Sequence, residues 1–158
     1  MSTPVIQFGR AEGTRTIVSE LWIPRHRDDV FPFFADAFNL EAITPPLIHF
    51  AILTPGPIEM RAGLRIDYRL RLLGLPLSWQ SEITLWDPPR KFVDEQVRGP
   101  YRVWIHEHTF EERDGGTLVR DHVRYSVPGG ILIEVPFVRP RLREIFTYRS
   151  KRLGEIFA

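Results

Sequence analysis

The chain has 158 residues, of which 43% are apolar and 26% charged, and its formal net charge is +1. This length is enough for one compact domain with a buried core, and the balanced charge without a basic block argues against nucleic acid as a partner. The sequence has no cysteine, no signal segment and no apolar run of membrane-spanning length, so we expect a single cytoplasmic domain over residues 1–158, without disulfides or membrane insertion.

The N-terminal third predicts two strands separated by two short helices. Residues 14–23 (TRTIVSELWI) form the first predicted strand. The stretch RDDVFPFFADA predicts a helix in which Pro32 is tolerable only within the first turn. The stretch NLEAIT predicts a second short helix with Asn39 as its N-cap, and residues 47–53 (LIHFAIL) form the second predicted strand.

The middle of the chain begins with a predicted hairpin. Residues 65–72 alternate between polar and apolar side chains, which is typical of a strand with one buried face. Gly74-Leu75 suits a two-residue turn with glycine first. The resulting register pairs apolar with apolar positions: Leu72 with Leu77, Leu70 with Trp79, Tyr68 with Ser81 and Ile66 with Ile83.

Two further hairpins are predicted downstream. Asp114-Gly115 is a strong turn signal, and pairing across it sets Phe110 opposite Val119, His108 opposite Asp121, His106 opposite Val123 and Trp104 opposite Tyr125. A turn at Gly99-Pro100 would set Glu95 opposite Trp104, with Val93 and Val97 on the same face.

These hairpins predict a sheet with one buried face, against which a long C-terminal helix packs. Apolar residues recur at three-to-four spacing in the last twenty residues, so we expect a helix from about 138 to 157. The buried face is predicted to carry Ile66, Tyr68, Leu70, Trp79, Ile83, Val93, Trp104, Phe110, Val119, Val123 and Tyr125.

Several long stretches give the sequence a family resemblance. These are SELWIP (19–24), VFPFFADAFNLEAITPP (30–46), PIEMRAGLRIDYRLRL (57–72), DPPRKFVDEQVRGPYRVWIHEHTFEE (87–112), GGTLVRDHVRY (115–125) and IFTYR (145–149). The chain resembles the START-like superfamily, also called SRPBCC, which includes birch-pollen-allergen-like and polyketide-cyclase-like proteins, and in particular its bacterial ligand-binding branch. The resemblance implies an α+β helix-grip fold: a curved seven-stranded antiparallel sheet around a long C-terminal helix, with two short helices after the first strand and a deep apolar cavity.

Five polar residues are predicted to share the buried face. His106 and His108 point to the same side because strand side chains alternate. Asp121 lies opposite His108, Glu95 lies one strand over, and Arg149 falls in the apolar stripe of the last helix. We predict that the ligand-binding residues are Tyr68, Trp79, Glu95, Trp104, His106, His108, Asp121, Tyr125, Phe146 and Arg149.

This cluster admits three interpretations. A metal site would need three or four ligands, which the histidines and Asp121 could supply, but Arg149 would put a cation beside the metal. An acid–base site of the cyclase or aromatase type would use His106, His108, Asp121 and Glu95 on a polyketide-like substrate. We favour a polar network that orients a hydrophobic or aromatic small molecule, without metal or other cofactor, in a carrier or sensor role. An interaction module whose cavity is merely a core is a further alternative.

Overall fold

The computed structural model describes residues 3–158 and contains an eight-stranded antiparallel sheet with the strand order β1-β2-β8-β7-β6-β5-β4-β3. The strands are β1 (Val5–Ala11), β2 (Thr14–Ile23), β3 (Ala51–Ile52), β4 (Arg65–Leu72), β5 (Leu75–Asp87), β6 (Lys91–Arg98), β7 (Val103–Arg113) and β8 (Gly116–Ser126). The helices are α1 (Arg27–Ala35), two 3₁₀ helices (Ala37–Ile43 and Pro46–Ile48), the short α2 (Ile131–Ile133), a π-helical turn (Glu134–Val138) and α3 (Arg139–Ile156).

The helix-grip class is confirmed, with one strand more than predicted. The additional strand, β1, pairs along β2 and leaves most of its side chains exposed. An edge strand with little buried surface carries only a weak apolar alternation, which is why the sequence pattern missed it. The predicted first strand is β2 and has the predicted bounds.

Three local predictions in the helical region were wrong. Pro32 lies in the second half of α1 rather than its first turn, where the buried side chains of Val30 and Phe34 hold the helix against the core. The cap of the next helix is Asp36, whose Oδ1 accepts from the Phe38 backbone N–H at 3.0 Å, rather than Asn39. The strand predicted at 47–53 is reduced to Ala51–Ile52 because a 3₁₀ turn occupies Pro46–Ile48.

The β4–β5 turn lies one residue earlier than predicted, at Leu73-Gly74, which shifts the pairing by two residues in β5. Leu73 and Gly74 both have positive φ angles, 53° and 78°, as a type I′ turn requires. The pairs are therefore Leu72 with Leu75, Leu70 with Leu77, Tyr68 with Trp79 and Ile66 with Ser81. Because the shift is an even number of residues, the predicted face is preserved.

The β6–β7 pairing differs from the predicted pairing by one residue, so β6 turns its other face toward the inner side of the sheet. Asp94 pairs with His106, and Glu95 pairs with Ile105. The connection is a longer loop in which the Gln96 amide donates to the Tyr101 carbonyl at 2.7 Å and accepts from the Tyr101 N–H at 3.0 Å. Val93, Glu95 and Val97 were wrongly assigned to the inner face, which β6 supplies with Phe92 and Asp94 instead.

The β7–β8 hairpin follows the predicted register throughout. Asp114 and Gly115 form the turn with φ angles of 51° and 76°. All four predicted pairs are present, including His106 with Val123 and His108 with Asp121. This hairpin therefore fixes both histidines on the inner face, where they are 7% and 3% exposed.

Helix α3 packs its buried face against this side of the sheet. It buries Leu142, Phe146, Arg149, Ser150 and Leu153, and it lies within the predicted range 138–157. Leu142 and Phe146 join a core cluster with residues of β2 and β8, and Leu153 joins a second cluster with α1. Among residues 3–158, no helix is long and apolar enough to cross a membrane.

Candidate ligand-binding cavity

A cavity of about 190 Å³ lies between the inner face of the sheet and α3. Its wall is mainly aliphatic and aromatic, and its polar part is a group of side chains from β5, β6, β7 and α3. Seven of the ten predicted ligand-binding residues line it: Tyr68, Trp79, Trp104, His106, His108, Phe146 and Arg149. A mostly apolar wall with a few converging polar groups is typical of small-molecule sites.

The other three predicted residues do not line the cavity. Asp121 is 4% exposed and lies behind the histidines, where it contacts Arg149. The hydroxyl of Tyr125 donates to Glu134 Oε1 at 2.7 Å, and the side chain is fully buried. Glu95 lies on the opposite face of β6 and is removed from the site.

Asp121 is the centre of the buried polar cluster. Arg149 donates to both of its carboxylate oxygens, from Nη2 to Oδ1 at 3.1 Å and from Nε to Oδ2 at 3.2 Å. The Nε2 atom of His106 lies 2.8 Å from Asp121 Oδ1. Burial alone would raise the pKa of Asp121, but the Arg149 charge and the histidine hydrogen bonds hold that pKa well below its usual range.

His108 lies between two carboxylates. Its Nε2 is 2.7 Å from Asp94 Oδ2, and its Nδ1 is 3.3 Å from Asp121 Oδ1. Burial lowers the pKa of His108, but the hydrogen bonds to Asp121 and Asp94 outweigh burial and raise the pKa above its ordinary value. A carboxylate at each ring nitrogen stabilises the doubly protonated imidazolium.

His106 has the opposite electrostatic environment, although it is next to His108. Burial and the charge of His108 lower the pKa of His106, and its hydrogen bond to Asp121 only partly opposes them. A neutral His106 donating from Nε2 to Asp121 fits this arrangement. The cluster thus sets two carboxylates against the Arg149 cation and against His108, whose raised pKa favours its protonated form.

Asp94 is the polar residue of the cavity wall that the sequence did not identify. Its hydrogen bond from His108 uses Oδ2. Burial raises the pKa of Asp94, but this hydrogen bond together with the charges of the two histidines and Arg149 outweighs burial and lowers the pKa. Oδ1 takes part in none of the hydrogen bonds found among residues 3–158, and neither does Nη1 of Arg149. Both side chains line the cavity, which therefore offers one free charged acceptor and one free charged donor. His106 Nδ1 and the Tyr101 hydroxyl, which belong to the same wall, also take part in none of the hydrogen bonds found among residues 3–158.

Aromatic rings surround the polar cluster. Phe92 stacks on His108 with the ring centroids 4.1 Å apart, and Trp79 packs edge-on to Trp104 at 5.4 Å. The indole N–H of Trp79 donates to Ser81 Oγ at 2.9 Å, so this buried donor is satisfied within the wall. Hydrogen bonding inside the wall leaves Asp94 and Arg149 as the charged groups available to an occupant, beside His106 Nδ1 and the Tyr101 hydroxyl.

Asp94, His106 and His108 also have the composition of a metal site, since one ligand atom from each lies within 4.8 Å of the others. The Nε2 atoms of both histidines are engaged by carboxylates, however, and Arg149 Nη2 lies 3.4 Å from His108 Nδ1. His106 Nδ1 is free, so a cation would have to displace the hydrogen bond between His108 Nε2 and Asp94, and it would lie beside a guanidinium. The charge of Arg149 therefore argues against a bound metal.

Known proteins of the same architecture were found by structure comparison. Protein Ms6760 from Mycobacterium smegmatis aligns with a TM-score of 0.70 and 18% identity over 96% of this chain and 97% of that one. The major latex-like protein 151 from Panax ginseng aligns with a TM-score of 0.66 and 14% identity over 91% of this chain and 97% of that one. Protein CV1439 from Chromobacterium violaceum aligns with a TM-score of 0.67 and 14% identity over 90% of this chain and 96% of that one.

The sequence comparisons give the family. No curated protein has a significant match to the sequence. The profile of the family described as "Polyketide cyclase / dehydrase and lipid transport" matches residues 23–152, a span that begins at the last residue of β2 and includes the whole of the cavity wall and most of α3. The chain therefore belongs to this polyketide cyclase / dehydrase and lipid transport family, within the START-like (SRPBCC) superfamily.

Proposed function

We propose that the protein binds an uncharged hydrophobic or aromatic small molecule that carries hydroxyl or carbonyl oxygen. The observation that carries the proposal is an apolar cavity of about 190 Å³ whose free charged atoms are Asp94 Oδ1 and Arg149 Nη1. An engineered apolar cavity of about 150 Å³ holds benzene. The space here suits a single substituted ring or an aliphatic body of similar size.

The charge balance of the polar cluster favours a neutral ligand. Asp94 and Asp121 are opposed by Arg149 and by His108, whose pKa is raised. A ligand carboxylate would add a third negative charge in a buried place, at a large desolvation cost. A ligand hydroxyl would instead donate to Asp94, and a ligand carbonyl would accept from Arg149.

A non-catalytic carrier or sensor role fits this chemistry. The cavity wall holds the hydroxyls of Ser81, whose oxygen accepts from Trp79, and Thr44, which donates to the Leu40 carbonyl. Neither hydroxyl is hydrogen-bonded to a histidine in the manner of an activated nucleophile, since the histidines bond to carboxylates. The polar groups are thus arranged to orient a molecule rather than to form a covalent intermediate.

The direct test is native mass spectrometry of the purified protein with a blocked-cavity variant. Ile145 lines the cavity from α3, so Ile145→Trp is designed to fill it, while Ile156→Trp adds the same ring at a position 37% exposed on the same helix. We expect a co-purified small molecule on the wild type and on Ile156→Trp, but not on Ile145→Trp. A molecule retained equally by all three would place it outside the cavity.

A second candidate is acid–base catalysis of the cyclase or aromatase type, and one contact favours it. Asp94 faces the cavity and is paired at 2.7 Å with the buried imidazole of His108, so a proton could pass between a ligand hydroxyl and this pair. Glu95, which the sequence suggested for this role, lies on the other face. If the pair is catalytic, His108→Gln should retain a molecule of different mass from the one on the wild type; an identical mass supports binding alone.

A further inference from the structure

We propose that one end of the sheet docks on an anionic lipid surface through exposed apolar side chains inside a basic rim. The antiparallel pairing brings four segments to this end, which we call the docking end: the β1–β2 turn (9–15), the β4–β5 turn (70–77), the β6–β7 loop (97–103) and the chain from the end of β8 to the start of α3 (124–141). The inference does not depend on the proposed ligand-binding function.

Exposed apolar side chains are concentrated at the docking end. Thirteen large hydrophobic residues are exposed among residues 3–158, and eight of them lie in these four segments. Leu132 is the most exposed at 79%, and Phe137 is 53% exposed. The other six are Leu73, Leu75, Val97, Ile131, Ile133 and Val135. Concentrated exposed apolar surface of this kind marks an interaction site.

The same segments carry most of the charge asymmetry of the chain. They contain eight arginines and two carboxylates, Glu12 and Glu134, which leaves thirteen basic and eighteen acidic residues elsewhere in a chain of net charge +1. The docking end is thus positive and the rest of the molecule is negative. Arg10, Arg98 and Arg102 are exposed there and can reach anionic headgroups.

The apolar segment between β8 and α3 is held in place by a buried carboxylate. Glu134 is 2% exposed and accepts from the Tyr125 hydroxyl at 2.7 Å and from Arg139 Nη2 at 2.8 Å, with Arg15 Nε 3.7 Å away. This anchoring fixes the segment to the end of β8 and β2. The neighbouring Ile131, Leu132 and Ile133 are therefore presented outward rather than folded into the core.

Two observations favour lipid over a second copy of the chain. Two docking ends would bring positive surfaces together, which costs free energy, whereas an anionic bilayer complements them. Five of the eight apolar side chains come from residues 131–137 and three from the β4–β5 turn and the β6–β7 loop, and such an exposed set suits insertion among headgroups. The cavity wall also reaches this end through Leu72 and Tyr101, which would let an apolar ligand pass between bilayer and cavity.

The test is flotation of the protein with vesicles of phosphatidylcholine alone or of phosphatidylcholine mixed with phosphatidylglycerol. We expect binding to the mixed vesicles, weakened by salt, and little binding to the neutral ones. Leu132→Ser should weaken binding roughly tenfold, and Arg102→Gln roughly fivefold. Matched controls away from the docking end are Val5→Ser and Arg61→Gln, both at exposed positions, which should bind like the wild type.

Three results would overturn the proposal. The first is that the protein does not float with the mixed vesicles. The second is that the Val5→Ser and Arg61→Gln controls lose as much vesicle binding as Leu132→Ser and Arg102→Gln. The third is a concentration-dependent dimer in sedimentation velocity that Leu132→Ser dissociates while vesicles are not bound, which would assign the docking end to a second copy. Circular dichroism of each variant separates loss of binding from loss of fold.

Discussion

The imidazole rings of His106 and His108 stack with their centroids 3.7 Å apart, yet their surroundings favour opposite charge states. His108 has a carboxylate at each ring nitrogen, and its pKa is raised by those hydrogen bonds against the effect of burial. His106 has one hydrogen-bonded carboxylate, Asp121, with Asp94 Oδ2 4.0 Å from its Nδ1, and burial with the charge of His108 lowers its pKa. Two histidines one residue apart on β7 are thereby made chemically distinct.

The first prediction follows from this difference and concerns pH. Because the folded-state pKa of His108 is raised, its stabilising contribution is fully present below its unfolded value of about 6.5 and is lost as pH rises through the folded-state pKa. The destabilisation caused by His108→Gln should therefore be larger at acidic than at alkaline pH. Urea unfolding of wild type and variant, from acidic to alkaline pH, measures this difference in the free energy of unfolding.

His106→Gln is the matched control with the opposite sign. The pKa of His106 is lowered, so the unfolded chain binds its proton more readily and His106 costs stability as pH falls below about 6.5. The destabilisation by His106→Gln should shrink toward acidic pH. Parallel pH profiles for the two variants would contradict the assigned charge states.

The second prediction concerns energetic coupling around Asp121. Asp121→Leu should destabilise by about 3–5 kcal/mol because it leaves Arg149 buried without a counter-charge, and His106→Leu by about 1–3 kcal/mol. The double variant should fall short of the sum because the 2.8 Å contact is lost only once. The double variant His108→Leu with Asp121→Leu should also fall short of the sum of its single effects. The shortfall should be smaller, because His108 Nδ1 and Asp121 Oδ1 are 3.3 Å apart. Strict additivity in denaturant would mean that the groups do not interact.

The third prediction is that the protein binds no transition metal tightly. The carboxylates occupy the Nε2 atoms of both histidines, and Arg149 contributes a cation to the same cluster. Elemental analysis after dialysis against a chelator should find far less than one metal per chain. One equivalent of zinc or iron would show that Asp94, His106 and His108 are ligands.

The fourth prediction is an optical signal for occupancy. Trp79 and Trp104 both line the cavity and pack edge-on to each other, so an apolar occupant should change their emission. Trp22 and Trp86 do not line the cavity, and Trp22→Phe with Trp86→Phe should leave the change intact. A stoichiometric ligand without any emission change would contradict the placement of the pair.

The sequence predicted those parts of the site that short-range patterns determine. The Asp114-Gly115 turn fixes the β7–β8 register, so His106, His108 and Asp121 fall where predicted. Helical spacing likewise placed Arg149 and Phe146 on the buried face of α3. Both signals depend on residues close together in the chain, which is why they transfer to three dimensions.

The sequence did not predict Asp94, because the strand FVDEQV is ambiguous. Its alternation with Val93 and Val97 inward is at least as apolar as the observed one with Phe92 and Asp94 inward. The register is instead decided by a four-residue loop and by the Gln96 side chain bound to Tyr101. Burying Asp94 becomes favourable only because His108, which lies opposite Phe92 on the next strand, forms a hydrogen bond with the Asp94 carboxylate. Composition does not reveal this contact between strands.

The measurement that most directly tests the central claim is calorimetric titration with para-ethylphenol, its isostere para-ethyltoluene and the anion para-ethylbenzoate. We expect wild type to prefer the phenol over the other two. Asp94→Asn should weaken phenol binding roughly tenfold or more, through the lost charge-assisted hydrogen bond, while the adjacent outward-facing Glu95→Gln changes nothing. Equal affinity for the phenol and the toluene, or equal binding by wild type and Asp94→Asn, would contradict the assignment of Asp94 as the polar anchor of the cavity.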